Sequence, residues 1–156
     1  MRLLYEKSIS HRGHLIIPFR FTTASRFREE PLYSYVLLSE LGLEDPLHRA
    51  ENPGGLCTDS PEGIGTIAQE YLDTHSSIDA GNPETNSKTD YFKNRYTYRD
   101  NLIVILEMGS KYFYDHYPPD KLHNIAAPKI FTSAQDCIDW IKEGMDRLHV
   151  DQEAER

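Results

Sequence analysis

Residues 130–148 read Ile130-Phe-Thr-Ser-Ala-Gln-Asp-Cys-Ile-Asp-Trp-Ile-Lys-Glu-Gly-Met-Asp-Arg-Leu148, and this stretch decides the fold class. It predicts a short strand, a capped turn and an amphipathic helix. Ser133 is placed to cap the first turn, with Asp136 three residues on able to reach back. Ile138, Ile141, Met145 and Leu148 follow at steps of three and four, which puts them on one helical face.

The same design occurs earlier, over Leu56 to Leu72. Ser60 is a cap candidate there, and Pro61 stands at the first helical position, where a missing N–H costs nothing. Ile64, Ile67, Tyr71, Ala68 and Leu72 are expected to face inward, with the helix stopping near Asp73 or His75. Thr58, Ile64 and Ile67 align with Thr132, Ile138 and Ile141 at a displacement of 74 (132 − 58). Arg12-Gly-His-Leu-Ile-Ile aligns with Arg99-Asp-Asn-Leu-Ile-Val at 87 (99 − 12). Leu47-His48 and Leu122-His123 precede the two helices in the same order.

Between these landmarks lie strand candidates. In the first half they are Leu3–Ile9, His14–Thr22 after a turn at 11–14, and Leu32–Glu40. Pro18 lacks a backbone donor, which favours an edge or bulge position. In the second half they are Tyr91–Tyr98, Leu102–Met108 and Lys111–Tyr117. The nearly continuous Leu102–Leu106 run suits a central strand covered on both faces. Polar loops are expected over Thr23–Pro31 and Gly42–Gly55, another loop over Leu122–Lys129, and a polar linker over Ser76–Asp90. The charged tail, 150–156, is expected to fray.

The expected fold is therefore α+β: antiparallel sheet with two amphipathic helices packed on one face, built as two pseudo-symmetric β-β-β-α halves. They form one domain over 1–156, with the halves at about 1–75 and 91–149. Each half is too small to bury a sufficient core alone, so the two are expected to share one.

Composition excludes several classes. The chain has 156 residues, 38% hydrophobic and 27% charged, as expected for a globular protein rather than a disordered one. A net charge of −8 argues against general nucleic-acid or membrane-surface binding, which needs clustered cations. The first 31 residues run the other way, with Arg2, Lys7, Arg12, Arg20, Arg26 and Arg28 against Glu6, Glu29 and Glu30. No stretch approaches the roughly 20 apolar residues of a membrane span, and the first residues lack a signal-peptide apolar segment. Cys57 and Cys137 have no zinc-like or redox spacing, which leads to an expectation of two buried reduced thiols and a cytoplasmic setting.

No residue pattern specifies a reaction or implies a cofactor. There is no phosphate loop, nucleophile elbow or His-Glu-x-x-His. The densest polar cluster is Asp115-His116-Tyr117-Pro-Pro-Asp120-Lys121-Leu122-His123, from which Asp115 and His116 are weak catalytic candidates. His48 and His123 are the others, because the alignment places them at corresponding positions where a twofold-related pair would line one site; turn-shaping bonds are the bland reading. His11 and His14 flank a turn and are weak metal-ligand candidates. The surplus of strand aromatics beside arginines nominates Arg20, Tyr96, Tyr98 and Arg99 as a protein-binding face.

The expected function is a non-enzymatic protein-binding or regulatory module, acting on another protein or on itself as a homodimer. The alternative is a small enzyme or ligand-binding protein with a His-lined site at the junction of the halves.

Overall fold

Two tight hairpins start the two halves, and their turns have the same geometry. Arg12 and Gly13 take φ of 48° and 72°, and Arg99 and Asp100 take 49° and 64°. Positive φ at both central residues is the hairpin turn whose twist matches the strands it joins. The computed structural model describes residues 2–22, 31–76 and 91–154. Residues 23–30 of the expected loop and 77–90 of the expected linker lie outside them.

In the first half, β1 (Ile9–His11), β2 (His14–Thr22) and β3 (Pro31–Ser39) form an antiparallel sheet in the order 1-2-3. The helix α1 (Pro61–His75) follows. In the second half, β4 (Arg95–Tyr98), β5 (Asn101–Met108) and β6 (Lys111–Tyr117) form a sheet in the order 4-5-6, followed by α2 (Ala134–Ala154). The α+β class and the two β-β-β-α halves are thus as the sequence reads.

Alternation along the strands sorts the core into layers. Leu15, Ile17, Phe19, Val36 and Leu38 of the first sheet meet Leu102, Val104, Leu106 and Tyr117 of the second in one buried cluster. The opposite faces carry the helices. Ile16, Tyr35 and Leu37 pack on Ile64, Ala68 and Leu72 of α1. Ile103, Ile105 and Tyr114 pack on Cys137 and Ile141 of α2. The architecture is four layers, helix–sheet–sheet–helix, and Leu102 to Leu106 are buried on both sides as expected.

Ser60 caps α1 by accepting from the Gly63 N–H at 3.0 Å, and Ser133 caps α2 by accepting from the Asp136 N–H at 3.1 Å. The helix-preceding residues Thr58 and Phe131 each bridge the outer edge of a sheet, at Tyr33 and Tyr112. These pairs fix the correspondence of the helical units at 73 (131 − 58) rather than 74. The corresponding buried positions are Ile64 and Cys137, then Ala68 and Ile141. The hairpins keep the displacement of 87.

Several local expectations are corrected. The segment Leu3–Ile9 is not a continuous strand: a 3-10 turn over Tyr5–Lys7 interrupts it. It turns the Tyr5 hydroxyl to donate to the Pro118 carbonyl, tying the N-terminus to the other half. Residues 91–94 form a turn, and β4 begins only at Arg95, whose guanidinium reaches Ser8 Oγ and the Ser8 carbonyl at 3.0 and 3.1 Å. Pro18 sits in the central strand, yet beyond the end of β1. Its carbonyl accepts from Leu4 N–H at 2.8 Å, so its missing donor faces an edge covered only by that segment. The last helix continues to Ala154 through part of the expected tail, and Leu148 is exposed rather than buried.

Candidate functional site

A groove of about 540 Å³ opens where the β5–β6 hairpin meets the segment before α2, lined by Met108, Phe113, Ala126, Ala127, Pro128 and Ile130. Its boundaries follow from local structure. Tyr112 exchanges two backbone bonds with Phe131, at 2.9 and 2.7 Å, which pins the end of the segment to β6. Ile125 N–H donates to the His116 carbonyl at 2.8 Å and pins its start. Between these points Ala127 N–H donates to the Tyr114 hydroxyl at 2.9 Å instead of to a strand carbonyl. The chain therefore arches away from the sheet edge and leaves the groove beneath.

Met108 and Ile130 are 70% and 62% exposed at its rim. Two lysines, Lys111 and Lys129, also line it, and among the described residues no carboxylate does. Neither lysine is paired with a carboxylate among the described residues. The Lys129 ammonium instead lies 4.8 Å from the Trp140 ring centroid and 5.4 Å from that of Phe131, within cation–π range. Trp140 packs in turn against Phe131 and Tyr114.

The expected binding residues lie elsewhere. Tyr98 OH and Arg99 Nε both donate to Asp146 Oδ1 of α2, at 2.6 and 2.8 Å. Lys142 sits over the Tyr96 and Tyr98 rings. These side chains hold α2 against β4, with Arg99 exposed and Tyr96 and Tyr98 half-buried. The Tyr96 hydroxyl is buried without a hydrogen-bond partner among the described residues, and burial raises its pKa, with Cys137, Tyr114 and Tyr98 adding. Arg20 is exposed and lines a separate open cleft with Arg2, Phe21, Tyr33 and Glu51.

The two metal-ligand candidates, His11 and His14, engage different carboxylates. His14 is fully buried, with Nδ1 on the Arg12 carbonyl at 2.9 Å and Nε2 on Asp45 Oδ2 at 2.7 Å. His11 Nε2 lies 2.7 Å from Asp73 Oδ1. With both His14 nitrogens engaged, the pair does not share a metal or anion, and no metal-ligand cluster occurs among the described residues. Burial opposes ionisation of Asp45, but the Leu47 N–H, Ser39 hydroxyl and His14 together hold its carboxyl below the usual value.

His48 Nδ1 accepts from the Ser39 N–H at 3.0 Å, the turn-shaping outcome. Burial and Arg49 lower its pKa, with Asp45 and Asp115 opposing. His123 is exposed and makes no hydrogen bond with a described residue. Nor do the two histidines correspond: Arg49 and Ile125 donate to the matching carbonyls of Leu37 and His116, which sets Asn124 opposite His48. Asn124 Oδ1 accepts from the His116 N–H at 2.9 Å.

Asp115 faces the layer between the sheets, where Tyr91 OH and Asn124 Nδ2 donate to its two oxygens at 2.8 and 2.9 Å. Burial raises its pKa, against the effect of Tyr91, Asn124 and His48. His116 points to the other face, its Nε2 3.0 Å from Asn101 Oδ1, and burial lowers its pKa.

No protein-family model, curated protein or solved structure matches this chain, so its functional reading comes from geometry alone. Met108, Lys111, Lys129, Ile130 and Trp140 were not among the candidates from sequence. Their one local signal was the apolar run Ile125-Ala-Ala-Pro-Lys-Ile130 inside a connecting loop, where a purely linking segment is ordinarily polar.

Proposed function

We propose that the chain is a non-enzymatic protein-binding or regulatory module, acting on another protein or on a second copy of itself. The observation that carries this reading is the groove with Met108 and Ile130 exposed at its rim. Contiguous exposed apolar surface is disfavoured in water and marks interaction sites. Interface cores are likewise apolar and aromatic, with few charges. Both thiols are free, which agrees with a cytoplasmic setting, although only Cys137 is buried as expected and Cys57 is exposed. The matched turns, caps and bridges of the halves agree with an internal duplication.

The test is photo-crosslinking in cells with benzoylphenylalanine in place of Met108 or Ile130, and in place of Glu62 on α1 as control. A discrete adduct from the first two positions alone, lost in an Ile130→Asp background, supports the module. Adducts that do not depend on position count against it.

The second reading, a small enzyme or ligand-binding protein at the junction of the halves, draws on one observation: Asp115 is a half-buried carboxylate within electrostatic reach of His48. It is the weaker reading, because both Asp115 oxygens and His48 Nδ1 already have internal partners. A nucleic-acid role for the arginine-rich first thirty residues has less support again. Arg2 is paired with Asp100 and Arg12 with Asp73.

A further inference from the structure

We propose that the groove between the β5–β6 hairpin and residues 124–130 docks an acidic segment of a partner protein anchored by large apolar side chains. This rests on the protein-binding reading and names the chemistry of the partner. Two features of the groove fix that chemistry.

The first is the apolar lining. Met108, Phe113, Ala126, Pro128 and Ile130 surround about 540 Å³, within the range that holds a small group of buried side chains. An apolar anchor seated there removes its own surface and the Met108 and Ile130 side chains from water, which is the main source of affinity at such contacts.

The second is charge. The chain has 25 acidic residues against 17 basic, yet among the described residues this lining has two lysines and no carboxylate. Lys111 and Lys129 are exposed and lack carboxylate partners among the described residues. Lys129 is held over Trp140 and Phe131, so its charge is positioned beside the groove before a partner arrives. Carboxylates flanking an apolar anchor meet these two cations, whereas a basic segment is repelled by them. Charge placed this way selects between partners and speeds encounter.

Trp140, the single tryptophan, rests on Tyr114, which lines the groove, and on Phe131, the residue after Ile130. Its emission therefore reports occupancy. The test selects a random phage-displayed peptide library on the immobilised full chain and titrates an enriched peptide against Trp140 fluorescence. The expected result is enrichment of sequences with Asp or Glu around large apolar residues, and binding that shifts Trp140 emission and weakens with salt. Ile130→Asp and the double change Lys111→Glu with Lys129→Glu should each weaken that binding by about tenfold or more, while Glu62→Lys leaves it unchanged. Thermal melts confirm that the variants fold.

The proposal is overturned if nothing is enriched, if the enriched peptides are basic or uncharged, or if their binding is indifferent to these substitutions. Sedimentation showing self-association that Ile130→Asp abolishes would overturn it in favour of a second copy as occupant. A basic or self partner leaves the module reading standing, whereas absence of position-specific crosslinks removes both.

Discussion

Arg12 donates from Nε to Asp73 Oδ1 at 2.7 Å, fastening the first hairpin turn to the last turns of its helix. Arg99 and Asp146 make the same bond in the second half at 2.8 Å. The residue before each arginine joins the same oxygen: His11 at 2.7 Å and Tyr98 at 2.6 Å. Each half is thus closed by one clasp between hairpin tip and helix, and the four layers follow from packing two clasped units by their open sheet faces.

Asp73 bonds to His11 and Arg12, which hold its carboxyl below the usual range. A depressed folded value means that the clasp contributes above the carboxyl's unfolded value and is lost as pH falls through the folded one. Asp73→Asn is expected to lower the melting temperature at neutral pH by no more than about 2–4 °C, because the pair is solvent-exposed. That difference should vanish in acid. A penalty that persists at low pH would show that the contact is not ionic.

What the sequence disclosed and what it hid divide along range of interaction. Helix caps, the two-residue turns and the buried run at β5 are local, and Ser60, Ser133 and Leu102–Leu106 were legible. The correspondence of the helices was misread by one residue because Ile138 was matched to Ile64 by type. The position equivalent in burial is Cys137. Leu3–Ile9 looked extended because nothing nearby indicates that Tyr5 reaches Pro118, 113 residues away. The bonds of Tyr98 and Arg99 to α2 were hidden for the same reason: Asp146 is 48 and 47 residues distant. The groove was missed because its residues come from a hairpin end and a loop that meet only in the fold.

Both nitrogens of the buried His14 face acceptors, the Arg12 carbonyl and the Asp45 carboxylate. The ring is therefore held between two fixed partners, and Asp45 also accepts from the Ser39 hydroxyl at 2.7 Å and the Leu47 N–H at 2.9 Å. His14→Ala should cost about 3 kcal/mol, the lower end for breaking a buried pair, because these two donors still hold the Asp45 carboxylate. Denaturant melts measure the loss. A cost below about 1 kcal/mol would show that the contact contributes little to the fold.

Asp115 shifts the pH balance the opposite way to Asp73. Its folded value is raised, chiefly by burial, so the native state holds this proton more tightly than the unfolded chain. The resulting stabilisation is full below the unfolded carboxyl value, about 3.9, and is lost as pH rises through the folded value. Asp115→Asn removes that loss: its carbonyl still accepts from the Asn124 amide, and its NH2 faces the Tyr91 hydroxyl, which can rotate to accept. The variant's melting temperature relative to wild type should therefore rise between about pH 4 and pH 7. A flat or falling difference would contradict the assignment.

Two helix glycines separate backbone propensity from packing. A Cβ at Gly144 of α2 meets nothing within 4 Å, so Gly144→Ala is expected to gain about 1 kcal/mol from helix propensity alone. At Gly65 of α1 the same carbon falls 2.8 Å from Ile9 Cδ1, where α1 lies against β1. The propensity gain is then offset by displacement of that methyl, and Gly65→Ala should stabilise less than Gly144→Ala or destabilise. Ile9→Val deletes the obstructing Cδ1, so Gly65→Ala made in that background should recover most of the lost gain. The double-mutant cycle isolates this coupling because each single change touches the same contact. Additive effects would mean that the helix and strand part freely at this point, and that Gly65 is not what permits their close approach.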